Sequence, residues 1–164
     1  MADAQINRQI LLVSRPQGEA SVSNFKLVET PLAPLQDGEV RVRNHYLSLD
    51  PYMRGRMDDA KSYAAPQPLN EVMIGGTVGV VSESRNPAFA VGDSVVGVLG
   101  WQEYGTSDGR GLNKVDASRV PLSAYLGAVG MPGVTAWIGL NEHGRAKSGE
   151  TVVVSAARDR KSVV

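Results

Sequence analysis

The chain has no cysteine and only two histidines, His45 and His143. Without cysteine it can form no disulfide and has no thiol nucleophile, and a zinc site built from four cysteines is excluded. A catalytic zinc ordinarily takes three protein ligands from His, Cys, Asp or Glu, so two separated histidines leave only a carboxylate-rich site. The composition therefore disfavours a metal-dependent protein, and we assign no residue as a metal ligand.

Net charge and long apolar runs are also lacking. The 164 residues include 17 basic and 17 acidic side chains, which gives no basic surplus for nucleic acid or a membrane surface. The apolar runs fall far short of the roughly 20 residues that span a bilayer. The sequence MADAQINRQI lacks the basic and apolar regions of a secretory signal. We expect a cytoplasmic protein that uses neither nucleic acid nor membrane as a partner.

Many short β-strands separated by turn signals are predicted. The strand-like segments recur at roughly ten-residue spacing, a pattern typical of a small closed or partly closed barrel. They lie at residues 8–14, 25–29, 39–49, 72–84, 94–99 and 101–104. The fold class is therefore predicted to be mainly β over this part of the chain.

Three glycines interrupt the strand-like segment VMIGGTVGVVSES at positions 75, 76 and 79. Glycine inside a strand marks a bulge, a sharp barrel corner or a close approach of two backbones. A phosphate-binding loop would need a helix start directly after the glycines, and the following residues remain strand-like. The segment is therefore predicted to be structural.

The stretch from residue 44 to residue 63, NHYLSLDPYMRGRMDDAKSY, is the part richest in groups that could meet a ligand. Asp50-Pro51 ends regular strand pairing, because proline lacks an amide donor and restricts its predecessor. The segment that follows could line a pocket for an anionic or aromatic ligand through Tyr52, Met53, Arg54, Arg56 and Tyr63. The alternative is a loop at the barrel rim with solvated arginines, which composition alone favours.

The character of the sequence changes near Ser123. Apolar residues of SAYLGAVGMPGVTAWIGLNEH fall at spacings of three and four, and Gly130 and Pro132 interrupt them, so we predict two short helices over 123–143. By composition they form a packed pair at a domain junction. The β-branched run 151–157, TVVVSAA, is typical of a strand buried on both faces and predicts the first strand of a dinucleotide-binding domain.

Four segments resemble one family in the same order. LSLDPYMRGRM, GGTVGVV with GDSVVG and GWQEY, GMPGVTAW, and TVVVSAA resemble the zinc-free medium-chain dehydrogenase/reductases. The similar branch contains prostaglandin reductases, leukotriene hydroxydehydrogenases, plant alkenal double-bond reductases and bacterial curcumin reductases. The resemblance implies a GroES-like barrel over residues 1–122 as the substrate domain. It also implies a truncated start of a Rossmann-type NADP-binding domain over 123–157, and a homodimer for the full-length protein.

The resemblance also implies a reaction and its residues. In this family NADPH delivers a hydride to the C=C bond of an α,β-unsaturated ketone or aldehyde without a metal. A phenol can stabilise the enolate oxygen or supply the proton. Carried over by motif, the catalytic candidates are Tyr63 and Tyr52, and the cofactor-binding candidates are Met131 and Thr135. Arg54 and Arg56 could meet an anion, and we interpret them as structural or surface groups.

The last residues, 158–164, depart from the family pattern. A glycine-containing turn is expected after TVVVSAA, and the chain instead continues RDRKSVV. Asp159–Val164 resembles the in-frame translation of a sequencing adapter, so we expect a non-native tail on a truncated, inactive and poorly soluble fragment. A natural basic C-terminus is the alternative. For function, a non-catalytic GroES-like binding module and a quinone reductase of the same superfamily remain open.

Overall fold

The computed structural model describes residues 5–61 and 64–154, which form two antiparallel sheets. The three-stranded sheet has the order β2-β1-β4, with β1 at Ile6–Leu12, β2 at Phe25–Pro31 and β4 at Glu71–Val72. The five-stranded sheet has the order β7-β3-β5-β6-β8. Its strands are β3 Val40–Leu47, β5 Thr77–Ser84, β6 Ser94–Gly97, β7 Tyr104–Ser107 and β8 Asn113–Lys114. The prediction of a mainly β chain built from short strands is confirmed.

The two sheets are joined along β1. Gln9 and Gln102 form an isolated antiparallel bridge, and the Ile10 amide donates to the Trp101 carbonyl at 2.8 Å. The Asn7 side-chain amide donates to the Tyr104 carbonyl at 2.9 Å. Segment 101–104 therefore runs beside β1 before it enters β7, which partly closes the barrel.

Two apolar clusters fill the interior. Val40, Val42, Val81, Val95 and Leu112 form the cluster inside the five-stranded sheet. Leu12, Met53, Met57 and Met73 form the second cluster, beside the three-stranded sheet. The alternation of Val40 and Val42 in β3 puts both on the inner face, as the period of two requires.

The predicted strand 72–84 is two strands in the structure. β4 pairs with β1 and β5 pairs with β3, and residues 73–76 cross from one sheet to the other. A Cβ added at Gly75 would lie 2.8 Å from Leu47 Cδ1 and 2.9 Å from Trp101 Cδ1, so the crossing needs glycine there. The predicted barrel corner is confirmed, and the single long strand is corrected.

The helices are short and lie mostly between strands. A 3₁₀ turn covers Val22–Asn24, α1 covers Tyr52–Arg56 and a second 3₁₀ helix covers Leu122–Leu126. α2 covers Met131–Ile138 and continues as a π-helical turn, Gly139–His143. The two helical segments predicted over 123–143 are confirmed. Within the described residues no helix has the length and apolarity to cross a bilayer.

The expected packing of α2 is not seen. None of its residues is buried, and Trp137 is 58% exposed. Residues 151–154, the described part of the predicted strand, belong to no strand, and Val153 is 87% exposed. A strand needs a neighbour to pair with, and none lies beside these residues in the described part of the chain. Residues 155–157 of the predicted strand, and the predicted tail 158–164, lie outside it.

Candidate functional site

A short helix follows the Asp50-Pro51 break where sequence composition favoured a loop. Pro51 precedes α1 with helical backbone angles, φ −55° and ψ −32°, and the Met53 amide donates to the Asp50 carbonyl at 3.0 Å. Met53 and Met57 are 3% and 4% exposed and lie one turn apart, so one face of α1 enters the core. Burial of these two thioethers explains the helix, and it removes Met53 from the predicted pocket lining.

An apolar cleft lies where β5, β6 and β8 meet the Leu122–Leu126 helix and the starts of α1 and α2. Its volume is about 480 Å³, within the usual range of small-molecule sites. The apolar wall consists of Val96, Val98, Val115, Leu126, Val129 and Met131. The polar side chains at the cleft are Ser48, Asp50, Tyr52, Asn113 and Tyr125. We call this feature the β6–α2 cleft.

Ser48 and Asp50 form a fixed polar corner of the cleft. Ser48 is 6% exposed, its amide donates to the Gly76 carbonyl at 2.9 Å, and its hydroxyl donates to Asp50 Oδ1 at 3.0 Å. The end of β3 is thereby held against the crossing segment 73–76. This corner sets the direction in which the chain enters α1 and so the position of Tyr52.

Tyr125 anchors the opposite side of the cleft. Its hydroxyl donates to the Asp116 carbonyl at 2.8 Å and accepts from the Asp116 amide at 3.2 Å. The Ser118 hydroxyl and amide donate to the Asp116 carboxylate and hold its pKa below the usual value. Because the phenol of Tyr125 is engaged by the backbone, its role in the cleft is architectural.

The start of α2 is packed closely on the preceding segment. A Cβ at Gly130 would lie 2.0 Å from the Tyr125 carbonyl oxygen, and one at Gly133 would lie 1.8 Å from the Ala128 carbonyl oxygen. Any larger residue would force the two helices apart. Glycine at both positions therefore fixes the width of the cleft beside Met131.

The structure brings together two of the four predicted site residues. Tyr52 and Met131 both line the β6–α2 cleft. Thr135 lies one turn further along α2 and outside the cleft lining, and its hydroxyl donates to the Met131 carbonyl at 2.8 Å. Tyr63 lies outside the described residues. The roles of all four residues stay predictions.

Sequence reasoning missed four polar residues of the cleft, which are Ser48, Asp50, Asn113 and Tyr125. Ser48 and Asp50 stand in the quoted motif LSLDPYMRGRM, which was the available signal, but only the residues after Pro51 were considered. Asn113 belongs to a two-residue strand that no alternation could reveal. Tyr125 sits among apolar residues that suggested only helix packing.

Arg54 makes structural contacts, as predicted, and Arg56 lies away from the β6–α2 cleft. Arg54 donates through Nε and Nη2 to the Gly18 carbonyl at 3.0 and 2.6 Å, and its Nη1 pairs with Asp58 at 2.7 Å. Arg56 lines a separate, shallow pocket with Gln67 rather than the β6–α2 cleft. In residues 5–61 and 64–154 no group of three or more His, Cys, Asp or Glu side chains could hold a metal ion.

Comparison with known proteins identifies the family. The family described as N-terminal domain of oxidoreductase matches residues 8–115. The chain is 48% identical over 153 residues to the NADPH-dependent curcumin reductase of Escherichia coli (strain K12), which covers 93% of this chain and 44% of that protein. It is 44% identical over 144 residues to prostaglandin reductase 1 of Rattus norvegicus, covering 86% of this chain and 42% of that protein.

A solved structure shows the same fold. The structure of CurA from Vibrio vulnificus in complex with NADPH matches with a TM-score of 0.78 and 46% identity, covering 87% of this chain and 42% of that one. The chain thus spans less than half the length of the relatives that it matches. The two-sheet arrangement is the GroES-like architecture that the resemblance implied. The chain belongs to the zinc-free medium-chain dehydrogenase/reductase superfamily, and residues 8–115 form its oxidoreductase N-terminal domain.

Proposed function

We propose that the whole protein is an NADPH-dependent reductase of the C=C bond of α,β-unsaturated ketones or aldehydes, and that this chain supplies its substrate-binding side. The observation that carries the proposal is the β6–α2 cleft, whose lining combines Tyr52 with an apolar wall. An enone is a largely apolar molecule with one carbonyl oxygen. A cleft with an apolar wall and a hydroxyl donor suits both parts of it.

When bound, NADPH supplies the hydride that adds to the β-carbon of the enone. The electron pair of the C=C bond then moves toward the carbonyl, and negative charge collects on the carbonyl oxygen as an enolate. A phenol hydrogen directed at that oxygen stabilises the charge, and the α-carbon must gain one proton to complete the reduction. We propose Tyr52 and Tyr63 for these two tasks.

The cofactor side of the cleft is proposed at the start of α2. A nicotinamide ring is flat and mostly apolar, and the cleft offers about 480 Å³ beside Val129 and Met131. The Met131 side chain, which is 69% exposed, would contact the ring. Thr135, one turn further along α2, would contact the next part of the cofactor. We propose a domain boundary at residue 122, so that 123–157 begins the NADP-binding domain.

The proposal is tested with two proteins. The first is the chain as given, and the second is a chimera in which residues 1–154 replace the corresponding part of E. coli curcumin reductase. NADPH oxidation is followed with a neutral enone and, separately, with a quinone. We expect turnover of the enone by the chimera and none by the chain alone.

Each other outcome has a definite meaning. A chimera that prefers the quinone contradicts the enone reductase proposal in favour of a quinone reductase. A folded chimera that binds NADPH but reduces neither acceptor favours a binding module. The matched control is unaltered E. coli curcumin reductase, which shows that the assay detects reduction. Turnover by the 164-residue chain alone contradicts the predicted inactivity of the fragment.

A further inference from the structure

Two arginines connect the turn after β1 to α1 in opposite directions. Arg54 of α1 donates two hydrogen bonds to the Gly18 carbonyl, at 3.0 and 2.6 Å. Arg15, from the same turn as Gly18, donates through Nη1 to the Met57 carbonyl at 2.7 Å. Each segment thus holds the backbone of the other. The turn 15–18 therefore supports α1.

Arg15 also reaches the far end of the segment that follows α1. Its second terminal nitrogen, Nη2, donates to the Gln67 carbonyl at 3.3 Å. One guanidinium therefore joins residue 57 to residue 67, the two positions that flank segment 58–66. The backbone closes the same segment independently, since the Gln67 amide donates to the Arg56 carbonyl at 2.7 Å.

Both flanking residues are fixed in the interior. Met57 is 4% exposed within the second apolar cluster, and Gln67 is 3% exposed. The Gln67 side chain accepts from the Ile74 amide at 3.0 Å and donates to the Val72 carbonyl at 3.2 Å. Arg15 thus bridges two positions that are themselves held by the core and by the crossing between the sheets.

The geometry requires arginine rather than any cation. A guanidinium presents several donors in one rigid plane and can serve two carbonyls that lie apart. A lysine ammonium is a single point on a flexible stem, so it can satisfy one carbonyl well but cannot fix the distance between two. Hydrogen bonds from a charged donor are also stronger than bonds between neutral groups, which favours a stable contact from the partly buried Arg15.

We propose that Arg15 is a positioning residue for the candidate active site, acting through the Met57 and Gln67 carbonyls to fix α1. α1 begins with Tyr52, which lines the β6–α2 cleft. The inference therefore rests on the proposed function for its consequence, but its structural part can be measured without any activity.

Hydrogen exchange of the chain and of the chimera tests the structural part. In Arg15→Gln, peptides covering residues 52–67 should exchange about tenfold faster, the effect of losing charge-assisted hydrogen bonds. Peptides from β3 and β5 should be unchanged. Arg15→Lys should keep part of the protection. The control is Arg8→Gln, which removes the exposed ion pair between Arg8 of β1 and Glu103.

Kinetics of the chimera test the positioning part. Arg15→Gln should lower kcat for the enone about tenfold or more, since small displacements of a catalytic group are costly, with KM for NADPH unchanged. Arg15→Lys should recover part of kcat, and Arg8→Gln should leave it unaltered. If Arg15→Gln does not fold, Arg54→Gln is measured in the same way, because it removes the hydrogen bonds from α1 to the Gly18 carbonyl in the same turn.

Three results would overturn the inference: unchanged exchange over 52–67, faster exchange everywhere, or full kcat in Arg15→Gln. Unchanged exchange would mean that the contacts of Arg15 do not hold this region. Faster exchange everywhere would make Arg15 a general stabilising residue, and full kcat would mean that Arg15 does not affect the site. Failure of the proposed function is distinguishable, because the chimera would then lack turnover while the local change in exchange remained.

Discussion

Gly79 of β5 lies directly against Arg43 of β3. A Cβ at position 79 would be 2.1 Å from the Arg43 carbonyl oxygen, well inside the contact distance of any two atoms. The register of the two strands shifts next to this point, between Asn44 and Tyr46. The strands can approach each other here only because one of them has no side chain.

Gly79→Ala should therefore destabilise the barrel by about 1–3 kcal/mol, the usual cost of overpacking a well-packed interior. Urea unfolding followed by tryptophan fluorescence measures the change. Gly55→Ala in α1 is the matched control, because a Cβ there meets nothing within 4 Å and alanine favours helix. Equal stability of the two variants would contradict the close approach.

Tyr52→Phe should reduce turnover of the enone by the chimera about 100-fold, because the enolate oxygen would lose a preorganised hydrogen-bond donor. Steady-state kinetics with the enone varied measure the effect. Tyr104→Phe serves as the control, since its hydroxyl contacts Gln5 on the barrel surface. If Tyr52→Phe is fully active and Tyr63→Phe is not, Tyr63 is the hydrogen-bond donor and Tyr52 only lines the cleft.

Met53→Ala should cost about 2–5 kcal/mol of unfolding free energy, since it removes a buried side chain from the cluster that contains Leu12 and Met73. Met53→Leu, which keeps the volume, should cost less than about 1.5 kcal/mol. Met131→Ala is a suitable comparison because Met131 is 69% exposed, and its effect on stability should be small. Chemical denaturation of the three variants would show whether α1 is held by core packing.

Stability should fall in acid because of the ion pair between Asp93 and Lys114, which are 2.7 Å apart. The Lys114 ammonium and the Ala90 amide donate to Asp93 and hold the pKa of its carboxyl below the usual value. A lowered folded pKa stabilises the fold above the unfolded pKa of about 3.9, and this contribution is lost as pH falls through the folded value.

The acid dependence can be assigned by substitution. In Lys114→Met, the unfolding free energy should depend less steeply on pH below about pH 4. Lys26→Met is the control, as Lys26 lies exposed on β2. An unchanged acid slope in Lys114→Met would mean that other carboxylates, such as Glu103 beside Arg8, carry the dependence.

The isolated chain should self-associate through α2. Met131, Val134 and Trp137 are 69%, 54% and 58% exposed, a concentration of apolar surface that promotes association. Light scattering over a range of concentrations measures the mass. Val134→Lys with Trp137→Lys should shift the chain toward monomer, and Val22→Lys, at a distant exposed apolar site, should not. A monomeric chain without substitutions would contradict this prediction.

The strands were predictable from the sequence because their signals are local. Alternation located β3 and β5, and the glycines of the 72–84 segment correctly indicated a corner and a close approach. The break between β4 and β5 was not predictable, because whether residues 73–76 continue a strand depends on which sheet supplies the partner. That choice is made by tertiary contacts such as the Gly76 carbonyl with Ser48.

α1 was missed for a related reason. Five residues containing two arginines and a glycine have little intrinsic tendency to form a helix. The helix exists because Met53 and Met57 are buried together and because Arg15 binds its end. The candidate site was predictable only in part. The motifs indicated Tyr52 and Met131, whereas Asn113 and Tyr125 reach the cleft from elements distant in sequence from α1.

The contacts of Arg15 go to main-chain carbonyls, and every residue type has one. The contacts of Arg15 at Met57 and Gln67 therefore do not depend on the side chains between these two positions, where Asp58 separately pairs with Arg54. Other sequences of the same length could be grafted between Met57 and Gln67, with Asp58 and Tyr63 kept, without removing either contact of Arg15. In the chimera, such grafts would test whether this part of the chain influences the choice of acceptor in the proposed reaction.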